Sequence, residues 1–382
     1  MSDALAGYFD GAVGHLLERT RYLRSIVPRD LKAEFYTLHA VCRDALDAVV
    51  TKLDDLREGS YSDPRVQTAR LREYRRIVDE LDEVENAVVA ALTRNHRDDL
   101  FLNRLVGRMV GELSYPLVPP VVTCLSQEYY RIYPHFNLLC VPLAEARFLL
   151  HLPDLYHELG HAMLSDGNHP DAVQFQTALD RARMVVQGYL AQQQSEERLA
   201  RSPASLGDNL ILWEECWLKS WLSEFFCDLF ALYALGPAFA WSHFHLSAKR
   251  THDPLAVPPY GGHSHPCDEA RTGVMLHALA LLGYTEEARQ IREKWEVLSA
   301  MSSSTNQPEY NRCFPDHLLE SIAEEALAGY QASGCLLATQ CRPPMIQTKF
   351  SEAWERFWNA PMAYATWEAE AVQELRASCA SC

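Results

Sequence analysis

From about Ser205 to Leu235 the sequence carries Trp213, Trp217, Trp221, Phe225, Leu229 and Tyr233, an aromatic and apolar stripe repeated every four residues. Only a helix brings residues at that spacing onto one face, and so bulky a stripe has to be covered by other elements. The stretch therefore predicts a buried helix, ended by Gly236-Pro237. A chain of 382 residues can supply that cover and divide into two or three domains.

Two carboxylates interrupt the stripe's surroundings. Glu224 and Asp228 sit four apart, on one helical face, among Trp221, Leu222, Phe225, Phe226, Leu229 and Phe230. Acidic groups in apolar company need a cation or hydrogen-bond donors, which fits a solvated acidic face poorly. A partner motif stands earlier, in Asp154-Leu155-Tyr156-His157-Glu158-Leu159-Gly160-His161-Ala162-Met163. On a helix His157 and His161 offer imidazole nitrogens to one metal ion while Glu158 lies one step around, beside it. A catalytic zinc takes three protein ligands and keeps one position open. The positions that would mark a metzincin hold Leu164 and Gly167, so the third ligand is expected from a second helix. Glu224 is the candidate, with Asp228 accepting the outer N–H of a ligand histidine. Glu214 and Glu215 are rivals, but neither has a carboxylate four residues later. Cys227 could be a fourth ligand, although core packing is the simpler reading of a cysteine there.

Around these motifs the chain reads as mainly α with a small β-sheet. Helices are predicted from about Asp3 to Val27, stopped by Pro28, and from Asp30 to Arg57. A third runs from Asp63-Pro64 to about Arg94, with Leu71, Tyr74, Val78, Leu81, Val84, Val88 and Leu92 as its stripe. Packing within a bundle is favoured over a partner-binding coiled coil at this length. The run Leu113-Ser114-Tyr115-Pro116-Leu117-Val118-Pro119-Pro120 breaks any helix and places a boundary. Short strands are expected over Val121 to Leu125 and Phe136 to Val141, the second at an edge because Pro142 follows. A helix is expected from Asp171 to Arg201, a His- and Pro-rich loop from Trp241 to Pro266, and helices thereafter with breaks near 302–308, 341–344 and Pro361. The predicted organisation is an amino-terminal helical bundle (1–113), a zincin-like α+β catalytic domain (114–300) and a carboxy-terminal helical region (301–382).

Charge and composition narrow the partners. A formal charge of −16 argues against nucleic acid and anionic membrane surfaces. The longest apolar run, Leu229 to Trp241, is interrupted by Gly236-Pro237 and is too short to span a bilayer. The start Met1-Ser2-Asp3-Ala4-Leu5-Ala6-Gly7 lacks a signal-peptide pattern, so a cytoplasmic protein is expected. Eleven scattered cysteines fit reduced thiols. Cys379 and Cys382, with Cys335 and Cys341 upstream, could form a second metal site, against the commoner case of frayed terminal thiols.

His157-Glu158-Leu159-Gly160-His161 followed by Glu224-x-x-x-Asp228 resembles the gluzincin metallopeptidases. His263-Ser264-His265-Pro266-Cys267-Asp268-Glu269-Ala270-Arg271 is similar to the His-Pro…Arg element of the CAAX-prenyl-protease type of gluzincin, with His265 a better match than His263. The resemblance covers about Phe136 to Arg271 and implies one zinc per chain, a peptide or protein substrate, and a histidine–arginine pair near the reacting carbonyl. It also implies an edge strand, here Leu138, Leu139, Cys140 and Val141, to which substrate backbone adds. On that reading zinc on His157, His161 and Glu224 activates a water with Glu158 as base. His265, or failing that Tyr260, donates to the oxyanion, and Arg271 positions the loop or neutralises charge. Two alternatives remain: a zinc amidohydrolase acting on a non-peptide small molecule, and a peptidase gated by a protein bound to the amino-terminal helices. A third, with structural zinc in a binding module, fits the ligand set badly, because structural zinc prefers four ligands rich in cysteine.

Overall fold

A computed structural model describes residues 3–58, 64–94, 96–126, 129–200, 206–250, 253–257, 265–301, 307–338 and 343–380. Among the described residues the protein is mainly α-helical with one three-stranded sheet. The chain divides into two compact units, Met1–Arg104 with Pro120–Leu143, and Leu105–Pro119 with Ala144–Cys382.

In the first unit Pro28 stops α1 (Asp3–Ile26), and α2 (Tyr36–Glu58) follows a single 3₁₀ turn. Helix α3 (Pro64–Glu83) runs through a π-turn, Val84–Val89, into α4 (Ala90–Thr93), so the predicted long helix to Arg94 carries one extra residue in its last turns. Its stripe is buried at Leu81, Val84, Val88 and Leu92 against Val13, Leu16 and Leu17 of α1 and Leu46, Val49 and Leu53 of α2. The packing is within the unit, as ridges of one amphipathic helix on another. Helix α5 (Asp99–Leu113) opens here and continues into the second unit.

The sheet holds β1 (Val121–Thr123), β2 (Arg131–Tyr133) and β3 (Leu138–Cys140), in the order β1-β3-β2. Strand β3 pairs with β1 in parallel (Val121 opposite Leu138) and with β2 antiparallel (Ile132 opposite Leu139). The edge strand expected at Leu138, Leu139, Cys140 and Val141 is therefore corrected: β3 is the central strand. The Val141 N–H also donates to Thr123 O at 2.9 Å, and its carbonyl accepts from Ser126 N at 3.1 Å. A backbone hydrogen-bonded on both sides has no ladder left for a substrate. The outer side of β1 is closed too, because the Asn103 carboxamide exchanges two hydrogen bonds with Val122, at 2.7 and 2.9 Å. The sheet, expected with the metal motif, belongs to the unit of the amino-terminal helices.

The second unit begins with residues 105–119 and holds α6 (Asp154–Ser165), α7 (Pro170–Ala200), α8 (Leu206–Cys216) and α9 (Leu222–Leu235), the last two joined through a π-turn at Trp217–Trp221. Gly236 then takes φ +67, a left-handed conformation that glycine adopts without strain, and Pro237 starts α10 (Pro237–Lys249). The loop predicted from Trp241 is corrected here. No proline or glycine lies between Trp241 and Lys249, so the helix continues over its histidines. Among the described residues the unit continues through α11 (Asp268–Leu281), α12 (Thr285–Met301), α13 (Gln307–Cys313), α14 (Asp316–Ala332), α15 (Met345–Asn359) and α16 (Pro361–Ala380). The predicted carboxy-terminal region is thus part of the unit that carries the metal motif.

The aromatic stripe is its core. Trp213, Trp217, Trp221, Phe225, Phe226, Phe230 and Tyr233 are at most 1% exposed. Phe314, just past α13, places its ring 5.1 Å from both Trp217 and Trp221, so late residues cover the early stripe. Cys335 and Cys379 are buried, while Cys341 and Cys382 lie outside the described residues. Among the described residues no helix is long and apolar enough to cross a membrane.

Candidate metal centre

Helix α6 starts on Pro153 with Asp154 in its first turn, where an acidic group favours the positive end of the helix. It lies against α9 at Gly160. A Cβ added there would meet Cys227 Cα at 2.9 Å, closer than carbons pack, so glycine permits the approach of the two helices. The Tyr115 hydroxyl donates to Leu159 O at 3.0 Å while its ring meets the Phe230 ring edge-on, which ties the middle of α6 to residues 105–119.

At this contact the motif residues converge. His157 Nε2 lies 3.3 Å from Glu224 Oε2 and His161 Nε2 lies 3.7 Å from Glu224 Oε1, the two rings standing 4.9 Å apart and nearly perpendicular. His157 Nδ1 is 2.8 Å from Asp228 Oδ1. With Nδ1–H donated to that carboxylate, the other ring nitrogen is the one that faces Glu224. Phe239 stacks on the His157 ring, at 6.4 Å and 17°. Glu158 is buried, 7% exposed, one residue from His157 on the same helix.

The element around His265 closes on this centre. His265 Nε2 lies 3.3 Å from Glu224 Oε2 with its side chain half exposed. Arg271 is placed differently from the expectation that set it beside a reacting carbonyl. It is buried, and its Nε and Nη2 donate to Asp228 Oδ2 and Oδ1 at 2.7 and 2.6 Å. That fork makes Arg271 a positioning residue, acting through Asp228 on His157. Tyr260 and His263 lie outside the described residues.

The charges fit a cation. Burial opposes the charged form of His157, but the Asp228 and Glu224 carboxylates outweigh it and hold the ring's pKa up at about 10. His161 is pushed down to about 4 by burial and by the charge on His157. Burial would raise Glu224, yet the His157 imidazole beside it and the charge there bring it down to about 2. Asp228 is held far below the usual carboxylate range despite its burial, chiefly by the Arg271 charge. The pattern is a carboxylate with a proton on the facing imidazole, the proton a metal ion displaces on binding. Most telling is Glu224 Oε2, which is buried without a well-formed hydrogen bond although two imidazole nitrogens lie 3.3 Å away. A buried acceptor is rarely left so, and a divalent ion among these groups would satisfy it.

No known protein family, curated protein or solved structure matches the chain. What the site can bind follows from its own groups.

Two of those groups compete for the third ligand position. Ligand atoms of His157, His161 and Cys227 lie within 4.8 Å of one another, so these three residues could hold a metal ion. Burial and the Glu224, Asp228 and Glu158 charges push the Cys227 thiol well up, against the thiolate that metals bind. Cys227 also forms the floor under Gly160. Glu224, an anion with an unsatisfied oxygen, is the better ligand. The rivals read from sequence are engaged elsewhere, Glu214 accepting from Gln194 at 3.2 Å and Glu215 facing Lys219 at 3.9 Å. Glu224→Ala is therefore expected to lose bound zinc, and Cys227→Ala to keep it, when both are measured by elemental analysis after dialysis. The reverse result would assign the ligand to Cys227.

Two supporting residues, Tyr115 and Phe239, carry no signal in the sequence. Tyr115 sits inside the proline-rich break and Phe239 just after Gly236-Pro237, where no spacing rule points to them. Gly160 could have been found, since glycine inside a helix usually has a packing reason.

Proposed function

We propose that the protein is a zinc hydrolase that cleaves an amide bond, with a peptide as its substrate. The observation that carries this reading is the Glu224 carboxylate: its Oε2 is buried and unsatisfied 3.3 Å from the Nε2 atoms of His157 and His265, and its Oε1 lies 3.7 Å from His161 Nε2. His157, His161 and Glu224 would hold the ion. The chemistry it supplies when bound is Lewis-acid polarisation of a carbonyl and a lowered pKa for water, to roughly 7.

The remaining steps belong to side chains of the chain. Glu158 takes the proton of the attacking water and gives it to the leaving nitrogen. His265, half exposed beside Glu224, is within reach of a substrate and donates an N–H to the developing oxyanion. Asp228, clamped by Arg271, holds His157 in the tautomer and orientation that ligation needs.

One observation favours a second reading, hydrolysis of an amide in a small metabolite. The strand expected to bind an extended peptide is central in its sheet, with both sides paired. The two readings part on substrate size. A peptide library and a panel of N-acyl amino acids, each incubated with zinc-loaded protein and with protein stripped by 1,10-phenanthroline, are the test. Cleavage of peptides of six or more residues that disappears on stripping and returns with zinc is expected. Turnover confined to the small amides would establish the second reading, and turnover that survives stripping would end both.

A further inference from the structure

A second group of titratable side chains stands apart from the metal ligands. Glu145 opens a 3₁₀ turn, Glu145–Arg147, and is 9% exposed. Its Oε2 lies 2.7 Å from His151 Nδ1, and His151 Nε2 lies 2.5 Å from Lys249 Nζ at the end of α10. The row is carboxylate, imidazole, amine. With Nδ1–H donated to Glu145, the lone pair on Nε2 is the only acceptor the ring can present to Lys249.

The company Lys249 keeps sets it apart from four other lysines of the chain. Lys52, Lys219 and Lys349 face carboxylates at 2.6, 3.9 and 3.3 Å, and Lys294 lies over the Trp358 ring. Each of those contacts favours the ammonium. Among the described residues Lys249 has no carboxylate within ion-pair distance, and its close partner is a base. Partial burial lowers its pKa, against the pull of Glu145 and Asp154. The amine is still exposed enough to be reached. Aromatic rings border the group: Phe148 lies 5.7 Å from His151, which is 5.4 Å from His245, and His245 meets Trp354 at 5.8 Å and Phe357 at 5.9 Å.

We propose that Lys249 is a nucleophilic amine that forms an imine with an aromatic aldehyde, using His151 as its base and Glu145 to hold that base. The Lys249 ammonium passes a proton to His151 Nε2, and Glu145 balances the imidazolium charge. The freed Nζ pair attacks the carbonyl carbon, forming C–N and leaving a carbinolamine. His151 returns its proton to the hydroxyl, the C–O bond breaks, and one water departs as the protonated C=N bond forms. Planar rings at the site favour an aldehyde carried on an aromatic ring.

Pyridoxal is a suitable probe, with the adduct fixed by borohydride and located by peptide mass mapping. Lys249 should be labelled at least tenfold faster than the exposed Lys219 in the same molecule. His151→Gln should remove that advantage while Lys219 keeps its rate, and acetaldehyde should show less preference for Lys249 than pyridoxal does. The labelling should be unchanged in Glu158→Gln, since it does not depend on the metal site. Equal labelling of Lys249 and Lys219 in the wild-type protein, or an advantage that survives His151→Gln, would overturn the assignment.

Discussion

Glu158→Gln protein is expected to keep its zinc and lose amide hydrolysis by about 10²–10⁴-fold, the usual contribution of a positioned general base. The metal should stay because Glu158 is not among the ligands; the side chains that converge on Glu224 are His157, His161 and His265. The rate should fall because the glutamine amide matches the carboxylate in size but accepts no proton. Parallel elemental analysis and single-turnover cleavage separate the two effects. Activity within twofold of wild type would remove Glu158 from the base role, whereas joint loss of metal and activity would make it structural.

The second large effect concerns folding. Arg271→Met is expected to cost about 3–5 kcal/mol, because it leaves the Asp228 carboxylate wholly buried without the cation that compensates it. The solvent-exposed pair of Arg21 and Glu18, at a similar distance of 2.6 Å, should be worth less than about 1 kcal/mol. The difference lies in burial rather than in bond length. Arg271→Lys should not rescue the loss, since an ammonium cannot donate from a rigid fork to both carboxylate oxygens. Zinc affinity should weaken by about 10–100-fold in either variant that folds, through the loosened His157. Urea unfolding of both surface and buried variants gives the comparison, and a loss below about 1 kcal/mol for Arg271→Met would contradict the clamp.

What could be read from the sequence was set by local periodicity. Four-residue spacings on helices placed His157 with His161 and Glu224 with Asp228, because i and i+4 share a face whatever else the chain does. The aromatic stripe predicted its own burial for the same reason. What escaped depends on packing between distant segments. The order β1-β3-β2 is decided by pairing across the sheet, and Arg131-Ile132-Tyr133 is too short and too polar to signal a strand. The π-turn at Trp217–Trp221 adds a residue that no 3.6-residue wheel includes, so helical spacing does not give the faces of Glu214 and Glu215 relative to Glu224; both are engaged elsewhere. Arg271 was found by its resemblance to a motif, but whether it met substrate or Asp228 was a question of which charge was buried nearby.

The central claim is that His157, His161 and Glu224 hold one catalytic zinc. Its most direct test is the metal content of the purified protein after exposure to excess zinc and extensive dialysis, read beside His161→Ala. About one zinc per wild-type chain and almost none in the variant are expected. Wild-type protein that retains no zinc, or a His161→Ala protein that retains as much, would contradict it.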